Sequence, residues 1–330
     1  MRRYVSSARG WRAAITMLAC ALSASVAVSA AHAAGRSSVV GLAPNDAFFS
    51  ELAWPAASIN LPRAWTLGLG RPSVTIAVLD TGVTPVRDLA GALVPGYDFV
   101  GGDTNTTDDN GHGTEVASIA AARTNNRFGI AGVCGRCSIM PVKVLDANGV
   151  GTPSNIAAGV TWAVAHGAQI INLSMDSNED SPLIDAAIAA ATDHGVTVVI
   201  AAGNSGSSDP AAGGNLGASS PDAIRVAGLN SRNTLFSWSN RGSSVDVAAP
   251  GAAAAAMRDG SFFLGLQGTS VAAPMVAGVA GLMLSANPNL SPSVVKSLID
   301  STGTQIAGLD VASGRLVNAF AAVLAASGTA

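Results

Sequence analysis

Short β-branched apolar runs alternate along this chain with longer apolar or amphipathic stretches. Ser73–Leu79, reading Ser-Val-Thr-Ile-Ala-Val-Leu, has no polar alternation and predicts a strand buried on both faces. A polar loop rich in Gly, Thr, Asp and Asn covers 101–113, and the Ala-rich segment 114–122 suits a buried helix. Strands are then expected at Ser138–Leu145, Gln169–Leu173 and Val196–Ala201, with helices at Asn155–His166 and Pro182–His194. Strand–helix alternation of this kind predicts an α/β fold, three-layered and doubly wound, with a mainly parallel sheet and helices on both faces. No repeat or long linker divides the pattern, so one domain is expected over 45–330, preceded by a short arm, 34–44.

The most apolar stretch begins at Gly268-Thr269-Ser270-Val271-Ala272-Ala273-Pro274 and runs on through Met283. No charged residue lies between Gly260 and Val295, so the helix expected here is buried all round. At about 15 residues it is short for a bilayer span. Pro274 fits a first turn, where no intrahelical partner is lost, and this places Ser270 at the helix N-terminus. A hydroxyl there is either a plain N-cap or a nucleophile beside free N–H groups. The stretch alone favours the cap.

Composition narrows the classes. Of 330 residues, 48% are hydrophobic and only 12% charged, enough apolar material for a large core and no basic excess that would suit nucleic acid. The basic residues concentrate at the start. Arg2, Arg3, Arg9 and Arg12 precede an apolar run over Ala13–Val28, and Ala31-His32-Ala33 offers a small-residue cleavage site. A signal peptide over 1–33 is expected, an uncleaved anchor being the competing reading. Its removal takes four arginines and moves the net charge from −3 to −7. The protein is then secreted or periplasmic, with no stable membrane association, and is expected to be monomeric. Two cysteines remain, Cys134 and Cys137, and in an exported chain a local disulfide is favoured over a redox or zinc motif.

Serine-based hydrolysis needs a base, a group to hold that base, and donors for an oxyanion. Of three histidines beyond the leader, His166 and His194 each precede Gly near an expected helix end, a common resting place for histidine. His112 differs, because Asn110-Gly111-His112-Gly113-Thr114 flanks it with glycines at a loop-to-helix junction. Asp80 ends a buried strand, where a carboxylate needs a partner, and a histidine N–H is one candidate. Asn204, in Ala202-Gly203-Asn204-Ser205-Gly206, is either a turn residue or an oxyanion donor.

Together the blocks Val78-Leu79-Asp80-Thr81-Gly82-Val83, Asn110-Gly111-His112-Gly113-Thr114 and Gly268 to Pro274 resemble the three signatures of the subtilisin-like serine proteases, in the order Asp, His, Ser. The likeness spans roughly 45–326 and is nearest the thermitase-like branch. It implies an exported serine endopeptidase of broad preference, with Ser270 as nucleophile, His112 as base, Asp80 orienting it and Asn204 in the oxyanion hole. It further implies that Gly149 and Gly151, opposite Ser174, Met175, Asp176 and Gly203, bind an extended peptide through main-chain bonds. No cofactor is required for the chemistry. Structural calcium is implied at Asp88, Thr124, Asn126, Phe128 and Ile130, an Asn-rich turn being the alternative. Asp98 and Asp103 match a second calcium loop, whose third acidic position is Gly101, and Asp246 matches a weak cation site, a structural role being the favoured reading.

This chain departs from the pattern in places. Asp176 stands where the family carries glycine, Met275 and Glu115 stand where histidine is common, and about 46 residues between Ala33 and Asp80 leave no room for a pro-domain. If Asp176 faces the pocket for the residue preceding the cut bond, basic residues gain; if it turns outward, the pocket stays apolar. The rival readings are an esterase, which the lack of a Gly-x-Ser-x-Gly elbow disfavours, and a catalytically silent binding protein of the same shape.

Overall fold

The computed structural model describes residues 4–5, 41–50, 53–176, 181–208, 216–217 and 220–328. Its strands are β1 (Tyr4–Val5), β2 (Thr75–Asp80), β3 (Tyr97–Asp98), β4 (Ser138–Lys143), β5 (Val150–Gly151), β6 (Ile170–Leu173), β7 (Thr197–Ala201), β8 (Ile224–Leu229), β9 (Val247–Pro250), β10 (Ala252–Ala256), β11 (Phe262–Gln267), β12 (Thr304–Gln305) and β13 (Arg315–Leu316). The helices are α1 (Ala53–Ser58), α2 (Leu61–Ala64), α3 (His112–Ala121), α4 (Pro153–Ala165), α5 (Pro182–Asp193), α6 (Thr269–Ala286), α7 (Pro292–Thr302) and α8 (Ala319–Gly328). Apart from Tyr4–Val5, which pairs with β5, the expected leader lies outside the described residues.

Nine strands form one sheet in the order β3-β4-β2-β6-β7-β8-β9-β13-β12, parallel except for the edge pair β12-β13. The strands expected from unbroken apolar runs are its centre. They lack a polar face because both faces are covered. On one side Ile156 and Val160 of α4 and Ile184 and Ile188 of α5 pack over Leu79, Val142, Leu173 and Val198. On the other, Ile119 of α3, Val271 and Val276 of α6 and Val295 of α7 pack with Ile76, Val199 and Val226. The predicted α/β class and mainly parallel sheet are what the chain forms.

Winding reverses at β2. The chain steps from β2 to β4 in one direction and then continues through β6, β7 and β8 in the other. A reversal opens a crevice beyond the carboxyl ends of the flanking strands. Asp80 closes β2, Ser174 follows β6, and Ala202-Gly203-Asn204 follows β7, so three sequence-predicted residues arrive at one edge.

Helix α6 corrects two expectations. It has 18 residues, long and apolar enough to span a bilayer by length, and what makes it a core helix is its 94% burial inside the protein. Pro274 is not in the first turn. Gly268 holds the N-cap position, Ser270 is the second helical residue and Pro274 the sixth. A proline there leaves the carbonyl four residues back without its N–H. That carbonyl belongs to Ser270, and the Ser174 hydroxyl donates to it at 3.2 Å. The serine beyond β6 thus replaces the bond that Pro274 removes.

Glycines let this helix sit close to its neighbours. A Cβ on Gly281 would lie 3.0 Å from Cys137 Sγ and 3.1 Å from Cys134 Sγ. Those two cysteines form the expected disulfide, fully buried. The sequence pattern had assigned nothing to 205–267, where β8 to β11 lie. Five alanines of β10, helix-prone by themselves, pair instead with β11 in a hairpin, a case of tertiary context overriding propensity.

Candidate active site

His112 opens α3, and its ring is 3% exposed. Gly111 before it adopts φ 120°, which a side chain would resist, and Gly113 after it allows contact: a Cβ there would stand 2.0 Å from Gly82 O. The helix start therefore presses against the Asp80-Thr81-Gly82 turn. His112 Nδ1 donates to Asp80, at 2.8 Å from Oδ1 and 2.9 Å from Oδ2. Asp80 Oδ1 also accepts the Thr81 N–H at 2.7 Å. Burial works against a charged His112 ring, but the charge and hydrogen bond of Asp80, with Glu115 and Asp108 beyond, outweigh it and raise the ring's pKa to about 9. The opposite ring atom, Nε2, is buried and makes no hydrogen bond. His112 and Asp80 are joined; His112 and Ser270 are not hydrogen-bonded.

Asp108, which the sequence did not single out, ties the two segments together. Its carboxylate accepts the Thr81 hydroxyl (2.8 Å), the N–H groups of Asn110, Gly111 and Thr114 (3.0, 2.7 and 2.9 Å) and the Thr114 hydroxyl (2.6 Å). Thr81 in turn accepts the Gly113 N–H at 2.9 Å. Lys143, buried at the end of β4, donates to the carbonyls of Thr81 and Leu145 and to Asp109. Each of these bonds fixes His112 relative to the strand end that holds it.

Ser270 is 5% exposed. A Cβ on Gly268 would lie 2.8 Å from Ser270 Oγ and 3.9 Å from Asn204 Nδ2, so these two atoms flank the space that Gly268 leaves open. Asn204 is held by its oxygen, which accepts the Thr269 N–H (2.9 Å) and hydroxyl (3.0 Å), leaving the amide Nδ2 free to turn towards that space. Thr269 was missed by the sequence reading because its role needs Asn204, which lies far off in the chain.

The other residues singled out fall in three places. Gly149 and Gly151 flank the β5 edge. Ser174 lies against Ser270, while the Met175 side chain, 1% exposed, points into the α4–α5 core and leaves only its backbone to face a ligand. Asp176 stands beside Gly203, and its carboxylate accepts the Asn204 N–H; burial raises its pKa. His166 and His194 occupy the C-caps of α4 and α5, each bonded to the carbonyl four residues earlier.

Around the Asn-rich loop, Asp88 is 1% exposed and accepts Asn126 Nδ2 (3.0 Å) and the Ile130 N–H (2.8 Å). Thr124 and Phe128 lie in the same loop, Thr124 bonding Gly132 O and the Phe128 N–H bonding Asn126. A further carboxylate, Asp46, reaches the loop from the N-terminal arm and takes the N–H groups of Asn125 and Asn126 (2.7 and 3.4 Å). Burial raises both acids, Asp88 to about 6 with the Asp46 charge contributing. Asn125 and Arg127 hold left-handed backbone, φ 67° and 64°, conformations that cost energy in a non-glycine residue. Among the described residues no group of three or more His, Cys, Asp or Glu is placed so that it could hold a metal ion. Asp98 is bonded to the N–H groups of Val100 and Gly101, and Asp103 to that of Asn105. Asp246 already has an internal cation, the Lys296 ammonium, with Arg225 alongside.

A parallel sheet wound both ways, with a buried Asp–His pair and a serine at a helix N-terminus in its switch-point crevice, defines a class: the α/β serine hydrolases whose triad order is Asp, His, Ser. The model of the subtilase family, Peptidase S8, matches residues 71–316, and the chain belongs to that family. It is 42% identical over 283 residues to thermitase of Thermoactinomyces vulgaris, covering 85% of this chain and 99% of thermitase. It is 38% identical over 269 residues to subtilisin Savinase of Lederbergia lenta, covering 82% and 97%. Among solved structures, a protease of Pseudoalteromonas arctica superposes with a TM-score of 0.77 at 34% identity, covering 86% and 99%. The protein is a subtilisin-like serine endopeptidase, and its substrates are proteins or peptides.

Proposed function

We propose that this endopeptidase works through a triad of Asp80, His112 and Ser270, with Asn204 Nδ2 and the Ser270 N–H receiving the oxyanion. One observation carries the reading: His112 is clamped to Asp80 through Nδ1, and its buried Nε2 is left without a partner. A buried polar atom with no hydrogen bond is costly, and a substrate-bound Ser270 hydroxyl is the group that would satisfy it. On substrate binding, Nε2 takes the Ser270 proton while Oγ attacks the peptide carbonyl. The carbonyl electrons move to the oxygen, which Asn204 and the helix terminus stabilise. Nε2 then returns the proton to the departing amine, leaving an acyl group on Ser270 that water removes by the same route. Because the His112 ring holds its proton up to about pH 9 in the free protein, the base form grows as pH rises, and activity follows it. An extended peptide lying between β5 and Ser174–Asp176 is held by its main chain, which supports broad preference beyond the residue before the cut bond.

Calcium suits the Asp46–Asp88 loop by its donor types, since two buried carboxylates, the Asn126 amide and the carbonyls of the loop would together offer oxygen ligands. Asp46, Asp88, Asn126 and the carbonyls of Thr124, Phe128 and Ile130 would hold it, and its role is to neutralise the paired acids. Export is supported by the leader-like start of the sequence and the buried disulfide, and the mature protein is read as a secreted or periplasmic monomer.

Labelling with a serine-reactive fluorophosphonate, beside hydrolysis of casein, tests the triad. Wild type should label and digest casein, and Ser270→Ala should do neither. A folded wild-type protein that resists the label would overturn the assignment.

A further inference from the structure

A carboxylate beside the oxyanion donor forms no ion pair among the described residues. Asp176 ends the extension of β6, three residues past Leu173. Its Cβ lies 3.5 Å from where a Cβ on Gly203 would stand, a position that Asn240 Nδ2 approaches to 2.5 Å, so Asp176 and Asn240 both border Gly203 where the segments that follow β6 and β7 meet. Both segments touch the reacting residues. Ser174 bonds the Ser270 carbonyl, and Asn204 is anchored by Thr269. The Asn204 N–H donates to the Asp176 carboxylate, which sets the acid directly behind the oxyanion amide. Three other sheltered acids have a cation or several strong donors: Asp80 has His112, Asp246 has Lys296, and Asp108 has five donors. Asp176 forms no ion pair among the described residues, and burial raises its pKa.

We propose that Asp176 is a specificity-determining residue that selects substrates carrying arginine or lysine at the residue whose carbonyl is attacked. This rests on the assignment of Ser270 and Asn204 above. With the scissile oxygen against Asn204 Nδ2, the side chain of that same substrate residue would be directed past Gly203 towards the Asp176 carboxylate. An apolar side chain there would strip water from the carboxylate and return nothing. A guanidinium or ammonium returns a charge-assisted hydrogen bond, and a guanidinium can engage both oxygens. Glycine at this position would leave an apolar slot, so the substitution converts steric selection into charge selection.

The test is a set of peptide amides that differ only at this residue, bearing arginine, lysine, leucine or citrulline, the last being the uncharged counterpart of arginine. Wild type should favour arginine over citrulline by about ten- to hundredfold in kcat/KM, the range of a hydrogen bond to a charged group. In Asp176→Asn and Asp176→Gly that ratio should fall towards one. Equal rates for arginine and citrulline in wild type, or a preference that survives in both variants, would overturn the inference. Fluorophosphonate labelling accompanies each assay. A protein that labels but ignores charge overturns the role of Asp176 alone, whereas a wild type that does not label overturns the triad assignment and this inference with it.

Discussion

Two regions of this molecule bury carboxylates, and they do so in opposite ways. At the crevice, Asp80 and Asp108 are 0% and 2% exposed, yet each has what an ionised acid needs: a histidine for one, five donors for the other. At the arm, Asp46 and Asp88 are buried to the same degree, 5% and 1% exposed, but face each other with only N–H groups for company. Both of these arm acids are raised above their usual range, Asp88 to about 6. The first region is complete from the chain's own atoms. The second is the one where the proposed calcium would supply the missing positive charge. Asp246, which matches a weak cation site of the family but was read as structural, shows the self-sufficient solution, with the Lys296 ammonium as its cation.

The contrast breaks hardest at Asp108. Changing it to asparagine keeps the volume but puts an N–H₂ group against donors, so part of the clamp between the Asp80 turn and the start of α3 opens. Misplacing the base by as little as an ångström is enough to cost about a hundredfold, and Asp108→Asn should lower kcat/KM by about that factor. The loss should appear in kcat more than in KM, because the peptide-binding edges are untouched. Steady-state kinetics on one peptide amide decides it; a loss under about threefold in kcat would mean that the clamp does not position the base.

At the arm the effect should be on stability. Calcium at a hundred times its dissociation constant adds about 2.7 kcal/mol, which for a domain of this size is a rise of roughly 5–10 °C in Tm. A chelator should remove it, and Asp46→Asn should reduce it. The pH dependence has a definite sign. Without metal the folded state holds the Asp88 proton more tightly than the unfolded chain, so the penalty is full above about pH 6 and eases as pH falls from there towards 4. Calcium needs both acids ionised, so its benefit should shrink over the same window. Melting curves at pH 8 and pH 5, with calcium and with chelator, test both points; equal curves at pH 8 would remove the cation from this loop.

What could be read from the sequence divides along the same line. Asp80, His112 and Ser270 each sit in a short local pattern, a strand end or a helix start flanked by glycine; each pattern made its residue a candidate, and only the three in order separated Ser270 from a plain cap. Asp46 and Asp108 carry no such signature. Asp46 acquires its role from Asn125, 79 residues away, and Asp108 partly from Thr81, 27 residues away. Pro274 was misplaced for the same reason. A local helix rule put it in the first turn, and the bond that permits it in the second comes from Ser174, 96 residues from its acceptor. The alanines of β10 followed their sheet partner rather than their own propensity. Elements and nucleophile were local; counter-charges and hydrogen-bond repairs were not.

The smallest expected effect lies between the two regimes, at Glu115. It is one helical turn beyond His112, 9% exposed, and burial raises it to about 7, with His112 opposing the rise and Asp108 and Asp80 adding to it. Arg258 from the β10–β11 hairpin comes near the same spot, its Cδ 3.8 Å and Glu115 Oε1 4.0 Å from where a Cβ on Gly111 would stand. Above pH 7, then, Glu115 is an ionised acid beside His112, the proposed base, and its charge favours the protonated ring. A protonated ring cannot take the Ser270 proton, so this charge delays activity to higher pH. Glu115→Gln should move the acid limb of the kcat/KM profile down by about half a unit, an interaction of ~0.7 kcal/mol. Activity at the alkaline plateau should change little, because the ring is neutral there in both proteins. An unmoved limb would show that Arg258 already cancels the Glu115 charge, and a limb moved upward would contradict the sign of the interaction.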